Sequence, residues 1–162
     1  MNQTITDAVC RQIGNEFHTA FLYLAMASDM AAQGYRGAAH WLRLQYSEEC
    51  GHALKLMDFL EQRDALSTVP AFELPTSRTR SFEETFNLVL ETEQGITAAI
   101  NEMIHFCGEA QDYATQYLLF SYAAEQVEEE NSVREIIELL AMAKGCPDAL
   151  LRLDRHLAQR GL

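Results

Sequence analysis

No CxxC pair occurs anywhere in the chain; its four cysteines, Cys10, Cys50, Cys107 and Cys146, lie 40, 57 and 39 residues apart. That scatter excludes a zinc ribbon and a disulfide frame and reads as free thiols in a reducing cytoplasm. Long apolar runs are missing as well: no stretch reaches the roughly 18 residues a membrane-spanning helix needs. The opening Met1-Asn2-Gln3-Thr4 has neither the basic nor the apolar segment of a secretory signal. Positive charge is scarce. Only Lys55 and Lys144 are lysines, and 12 basic residues against 24 acidic ones leave a formal charge of −12. That balance argues against nucleic acid or anionic membrane as the partner. Proline is confined to Pro70, Pro75 and Pro147, which leaves residues 1–69 and 76–146 free of helix breakers. What remains is a chain of 162 residues, 48% apolar, of a size and composition to bury a core as one domain.

The apolar periodicity predicts five helices, at 5–33, 36–64, 81–108, 112–143 and 147–160, with Gly34, Gly37, Gly108 and Gly145 at the breaks. No segment alternates with period two long enough to form a strand. The expected fold is all-α: one domain over 1–162, with a four-helix bundle in 1–145 and a short fifth helix in 146–162. Short connections make helices one and two, and three and four, antiparallel hairpins. The stretch from Ala65 to Arg80 is different, with two prolines and little periodicity. A 28-residue helix is about 42 Å long, and sixteen extended residues reach roughly 50 Å. That stretch can therefore cross over the length of the bundle and set helices two and three parallel.

Seam positions stepping by four and three give Val9, Ile13, Glu16, Ala20, Tyr23 and Ala27 in the first helix, and Leu42, Gln45, Glu49, His52, Leu56 and Phe59 in the second. The third gives Phe82, Phe86, Val89, Glu93, Ile96 and Ile100; the fourth gives Leu119, Tyr122, Gln126, Glu129, Val133, Ile136 and Leu140. Acid interrupts every stripe near its midpoint, at Glu16, Glu49, Glu93 and Glu129. Midpoints of an antiparallel bundle share a level, so these carboxylates are expected to meet. Buried together they repel and lose hydration, at a cost of tens of kcal/mol for an isolated ion by a simple Born estimate. No lysine or arginine occupies the neighbouring seam positions. Two divalent metal ions would balance four carboxylates. Glu49-x-x-His52 puts a carboxylate and an imidazole on one helical face, a donor set suited to iron or manganese.

An offset of 77 residues carries Glu16 to Glu93, Glu48 to Glu125, Glu49 to Gln126 and His52 to Glu129. The two hairpins thus read as a repeat with an asymmetric site. His18, His40, His105 and His156 lack such spacing and read as surface or packing residues. Cys50 points about 100° off the seam and reads as a bystander thiol. Gly51 and Gly95 each cost about 1 kcal/mol inside a helix, which raises close backbone approach there as one explanation.

With these residues the chain resembles the bacterial non-haem ferritins over essentially its whole length. The most specific pieces are Asn15-Glu16-Phe17 with Tyr23, Glu48-Glu49-Cys50-Gly51-His52, Glu93-Gln94, and Glu125-Gln126-Val127-Glu128-Glu129-Glu130. The resemblance implies a first iron site at Glu16, Glu49 and His52. It implies a second at Glu49 as bridge, Glu93 and Glu129, with Gln126 close by, and a third at Glu48, Glu125, Glu128 and Glu129. It further implies two irons per subunit at a ferroxidase centre, Fe(II) with O₂ or H₂O₂ as substrates, and a hollow homo-oligomer of 24 subunits storing ferric mineral. Tyr23 is the redox-active neighbour it suggests.

Departures from related patterns matter. Bacterioferritins carry a second Glu-x-x-His, but Ser132 follows Glu129 here. They also have a haem-binding methionine where Cys50 stands, so no haem is expected. Many bacterial ferritins have tryptophan in place of Ser121. Glu48, Glu125 and Glu128 lie off the seam, and a solvated acidic face is their plainer reading. The fifth helix, with Leu150, Leu153 and Leu157 at helical spacing, either folds back on its own bundle or, as in the family, packs around a fourfold axis. Two other functions stay open on the sequence: a soluble di-iron oxidase or peroxidase without storage, and an acidic helical interaction module with protonated seam acids.

Overall fold

The computed structural model describes residues 2–76 and 78–161. Among these described residues five helices follow in order: α1 (Gln3–Ala32), α2 (Arg36–Gln62), α3 (Phe82–Glu109), α4 (Tyr113–Met142) and α5 (Pro147–Leu157). No strand occurs among the described residues, and no helix is long and apolar enough to cross a membrane. Local chemistry sets the ends. The Asn2 side chain accepts from Thr4 N at 2.9 Å and opens α1, while Gly34, with a φ of 93°, ends it. Ser81 and Glu84 form a reciprocal capping box, Ser81 N donating to Glu84 Oε2 at 2.7 Å and Glu84 N to Ser81 Oγ at 3.1 Å. Asp112 caps α4 through Thr115 N.

The chain divides into two compact units, Met1–Thr85 with Leu139–Leu162, and Phe86–Glu138. In the first, α1 and α2 form an antiparallel hairpin; Phe21 and Tyr46 meet edge to face at 6.0 Å. Its core is apolar, built on Val9, Ile13, Met26, Met30, Leu42, Leu56 and Leu60. In the second, α3 and α4 pair antiparallel, with Gln116 Nε2 donating to Ile104 O at 3.0 Å. Gly108 admits that side chain: a Cβ there would lie 2.7 Å from Gln116 Nε2.

The crossover travels along α1. Leu66 O accepts from Cys10 Sγ at 3.8 Å, Pro70 rests on Gly14, and Phe72 contacts His18 and Phe21. Arg78 N donates to Asp29 Oδ2 at 3.0 Å, and Gln33 Nε2 donates to Arg80 O at 2.7 Å. The 23 residues of α1 from Cys10 to Ala32 are about 35 Å long, within the reach expected of the loop. It delivers the chain to Phe82, whose ring lies 4.9 Å from that of Tyr35.

Helix α5 folds back on α2. Asp154 is buried, and its Oδ1 accepts from Ala38 N at 2.8 Å, in the first turn of α2. Gly37 permits the approach, since a Cβ there would sit 1.6 Å from Asp154 O. Leu153 and Leu157 are buried, Leu151 is exposed, and a groove of about 440 Å³ lined by Leu139, Met142, Ala143, Leu153 and His156 stays open beside the helix. The close-approach glycines are therefore Gly14, Gly37 and Gly108. Gly51 and Gly95 do not serve close approach, since a Cβ at either would have no neighbouring atom within 4 Å.

Candidate metal centre

Glu16 and Glu49 are each 1% exposed, the first on α1 and the second on α2. The antiparallel hairpin puts them at one level, as the seam stepping requires. His52, one turn beyond Glu49, is half-buried, and its Nδ1 lies 3.2 Å from Glu49 Oε2. One ligand atom from each of Glu16, Glu49 and His52 falls within 4.8 Å of the others. That is the separation of donors around a single ion.

Electrostatics says the same. Burial pushes the Glu16 carboxyl well above the ordinary carboxylate range, and the charge of Glu49 beside it pushes further the same way. The Gln12 amide, donating to Glu16 Oε1 at 2.8 Å, and the His52 ring act in opposition. Glu16 Oε2 is buried and meets no hydrogen-bond donor. Beside a second carboxylate such an oxygen is satisfied by a shared proton or by a cation. A divalent ion replacing that proton would remove the repulsion that raises the pKa. The residues fit a metal.

In the other unit, Glu93 is fully buried on α3 and Gln126 nearly so on α4. Gln126 Nε2 donates to Glu93 Oε2 at 3.0 Å, to Glu93 O at 3.2 Å and to Thr97 Oγ1 at 3.3 Å. Thr97 Oγ1 in turn donates to Glu130 Oε1 at 2.7 Å. Gln126 thus orients Glu93 through its amide nitrogen. Glu129 and Glu125 are half-buried and Glu128 is exposed. Glu48, on α2, is half-buried and accepts from Arg160 Nη2 at 3.0 Å.

Tyr23 is fully buried on α1, two turns from Glu16. Ser121 is exposed and donates to Leu118 O at 2.7 Å. Cys50 is half-buried; burial pushes its thiol up, the Tyr46 hydroxyl bonded to it pulls down, and the charge of Glu49 pushes up again. It therefore stays a protonated thiol at neutral pH, beside the centre and outside the cluster. Gln12, Thr97 and Arg160 are the partners that the sequence reading missed. Gln12 alone had a signal, a polar residue four positions before Glu16 on the buried face.

Residues 6–143 match the model of the ferritin-like domain family. The chain is 28% identical over 160 residues to a bacterial non-heme ferritin of Bacteroides fragilis (strain 638R), covering 99% of each. It is 33% identical over 147 residues to one of Escherichia coli O6:H1, covering 91% of this chain and 89% of that one. Among solved structures, an open pore ferritin from the hyperthermophilic archaeon Archaeoglobus fulgidus matches with a TM-score of 0.97 at 37% identity, covering 99% of this chain and 98% of that one.

Proposed function

The chain belongs to the ferritin family and has its all-α fold of four long helices and a short fifth, and from that premise we propose that it oxidises Fe(II) and stores the ferric product. The observation that supports this most is the pair of buried carboxylates, Glu16 and Glu49, held beside His52 with a protonation cost that a cation relieves. Fe(II) enters as substrate. Binding at Glu16, Glu49 and His52 displaces the proton that burial favours on Glu16 and cancels the repulsion between the carboxyls.

For a second Fe(II) the proposed ligands are Glu93 and Glu129, with Glu49 as the bridging carboxylate and Gln126 alongside. Support comes from the 77-residue repeat and from the bond by which Gln126 fixes the Glu93 carboxylate. Each iron gives up one electron. Two electrons with two protons convert O₂ to H₂O₂, or H₂O₂ to two waters, and the Fe(III) formed hydrolyses to mineral. The chain's own contribution is orientation and charge neutralisation. Tyr23, buried two turns from Glu16, is the proposed redox-active neighbour. Glu48, Glu125, Glu128 and Glu129 are proposed to hold a third, weaker iron. Haem has no proposed role.

Storage needs a container, and the proposed one is a hollow cytoplasmic homo-oligomer of 24 chains. Tyr113, Tyr117, Phe120 and Val127 line an exposed apolar stripe on α4, a surface that association would cover. Iron loading of the purified protein followed by size measurement tests the whole reading. The expected result is a particle of many chains retaining far more iron than a few ions per subunit. A dinuclear oxidase would bind about two ions per chain and accumulate none; an interaction module would bind none stoichiometrically.

A further inference from the structure

Arg160 lies three residues past the end of α5, yet it engages four residues of α2. Its carbonyl oxygen lies 2.9 Å from His40 Nε2, and its guanidinium carbon sits 5.0 Å over the ring of Trp41. Nη1 donates to Gln45 Oε1, and Nη2 donates to Glu48 Oε2 at 3.0 Å. All four partners are on one face of α2, stepping from 40 to 48 toward Glu49. The tail of the chain is laid along α2 and ends with its positive charge on the carboxylate that precedes a metal ligand.

A guanidinium on Oε2 and a divalent metal ion compete for the Glu48 carboxylate: both draw on the same negative charge, and the two cations repel. We infer that Arg160 is a latch, holding Glu48 out of metal binding until a metal displaces it, so that accessory metal capture and release of the C-terminal segment 158–161 from α2 are coupled. The inference rests on the reading of Glu48 as an accessory metal ligand. It adds the competitor and the part that moves. The coupling is graded. The Arg160 and Glu48 side chains are 31% and 39% exposed, so the pair yields to a doubly charged ion rather than excluding it. Filling of the paired site at Glu16, Glu49 and His52 does not require the latch to open; filling of Glu48 does.

Trp41 is the sole tryptophan of the chain and is 3% exposed, so its emission reports the stacked guanidinium directly. Zn²⁺, which is redox-inert and colourless, is titrated into the assembled apo protein while Trp41 emission and bound metal are followed. In the wild type one binding step is expected to change Trp41 emission, and Glu48→Gln removes that step. In Arg160→Ala the same step tightens about three- to tenfold, the scale of losing one partly exposed ion pair and its stacking, and no longer alters emission. Arg160→Lys, which keeps the charge but loses the planar fork, falls between the two. A Glu48-dependent step whose affinity is unchanged in Arg160→Ala overturns the latch and leaves the accessory site standing. Filling of that step without a Trp41 response in the wild type does the same, whatever the variants' stability. If no step depends on Glu48, accessory site and latch fall together.

Discussion

Replacing Glu49 by alanine is expected to abolish rapid Fe(II) oxidation while leaving the helices folded. Glu49 is the one residue proposed to serve both irons. It is 1% exposed, faces Glu16 and bonds the His52 ring. Loss of residues that merely orient metal ligands costs roughly 10–100-fold in affinity or activity, so loss of the bridging ligand itself is expected to cost at least about 100-fold in the initial oxidation rate. The fold survives because the change also removes one of two mutually repelling buried carboxyls. Stopped-flow oxidation measured alongside circular dichroism checks both halves. Glu61→Ala, an exposed glutamate on the same helix, serves as control and is expected to oxidise iron at the wild-type rate. Wild-type kinetics in Glu49→Ala would remove this centre as the site of oxidation.

The second large effect runs against intuition: Glu16→Gln is expected to make the metal-free protein more stable at neutral pH. The Glu16 carboxyl titrates in the fold well above its unfolded value, through burial first and Glu49 next. The folded state therefore holds a proton that the unfolded chain releases, and stability falls as pH rises from the unfolded pKa near 4.3 through the folded one. The glutamine amide keeps the bond from Gln12, supplies a donor toward Glu49 and has no charge to bury. Relief of one unsatisfied buried group is worth about 1–3 kcal/mol. Chemical denaturation of apo protein between pH 5 and 8 should show the wild type losing stability across that range and the variant losing much less. Added metal should reverse the ranking, because bound ligand stabilises the fold that holds it and the variant lacks a ligand. An apo variant less stable than wild type at pH 7 would mean that Glu16 is not strained by its surroundings.

That strain was legible in the sequence because the core pattern is so regular. Glu16 and Glu93 fall in stripes whose other members are all buried, and the structure buries both. The stepping drifts where a 3.5-residue repeat parts from a 3.6-residue helix: in α2 it selects Phe59, but Leu60 is fully buried and Phe59 only half. Length and proline content identified the crossover, but not its path, which depends on Pro70 meeting the bare backbone of Gly14. Glycines misled for a related reason. Their cost to a helix is local and readable, as at Gly51 and Gly95, whereas their use depends on a distant neighbour, as Gly37 depends on Asp154. Arg160 left no trace at all. Its partner Glu48 is 112 residues away, and an arginine in a tail has no pattern to violate. The structure also assigns Gln126 a task that spacing alone did not, since its amide nitrogen is committed to Glu93.

The central claim is that the cluster on α1 and α2 takes iron, and iron-edge anomalous diffraction from crystals soaked anaerobically with Fe(II) tests it most directly. A peak bounded by the carboxylates of Glu16 and Glu49 and the ring of His52 is expected, appearing at the lowest iron loading and missing in crystals of Glu49→Ala. Iron found only on exposed acids such as Glu128, with no density between Glu16 and Glu49 at saturation, would contradict it.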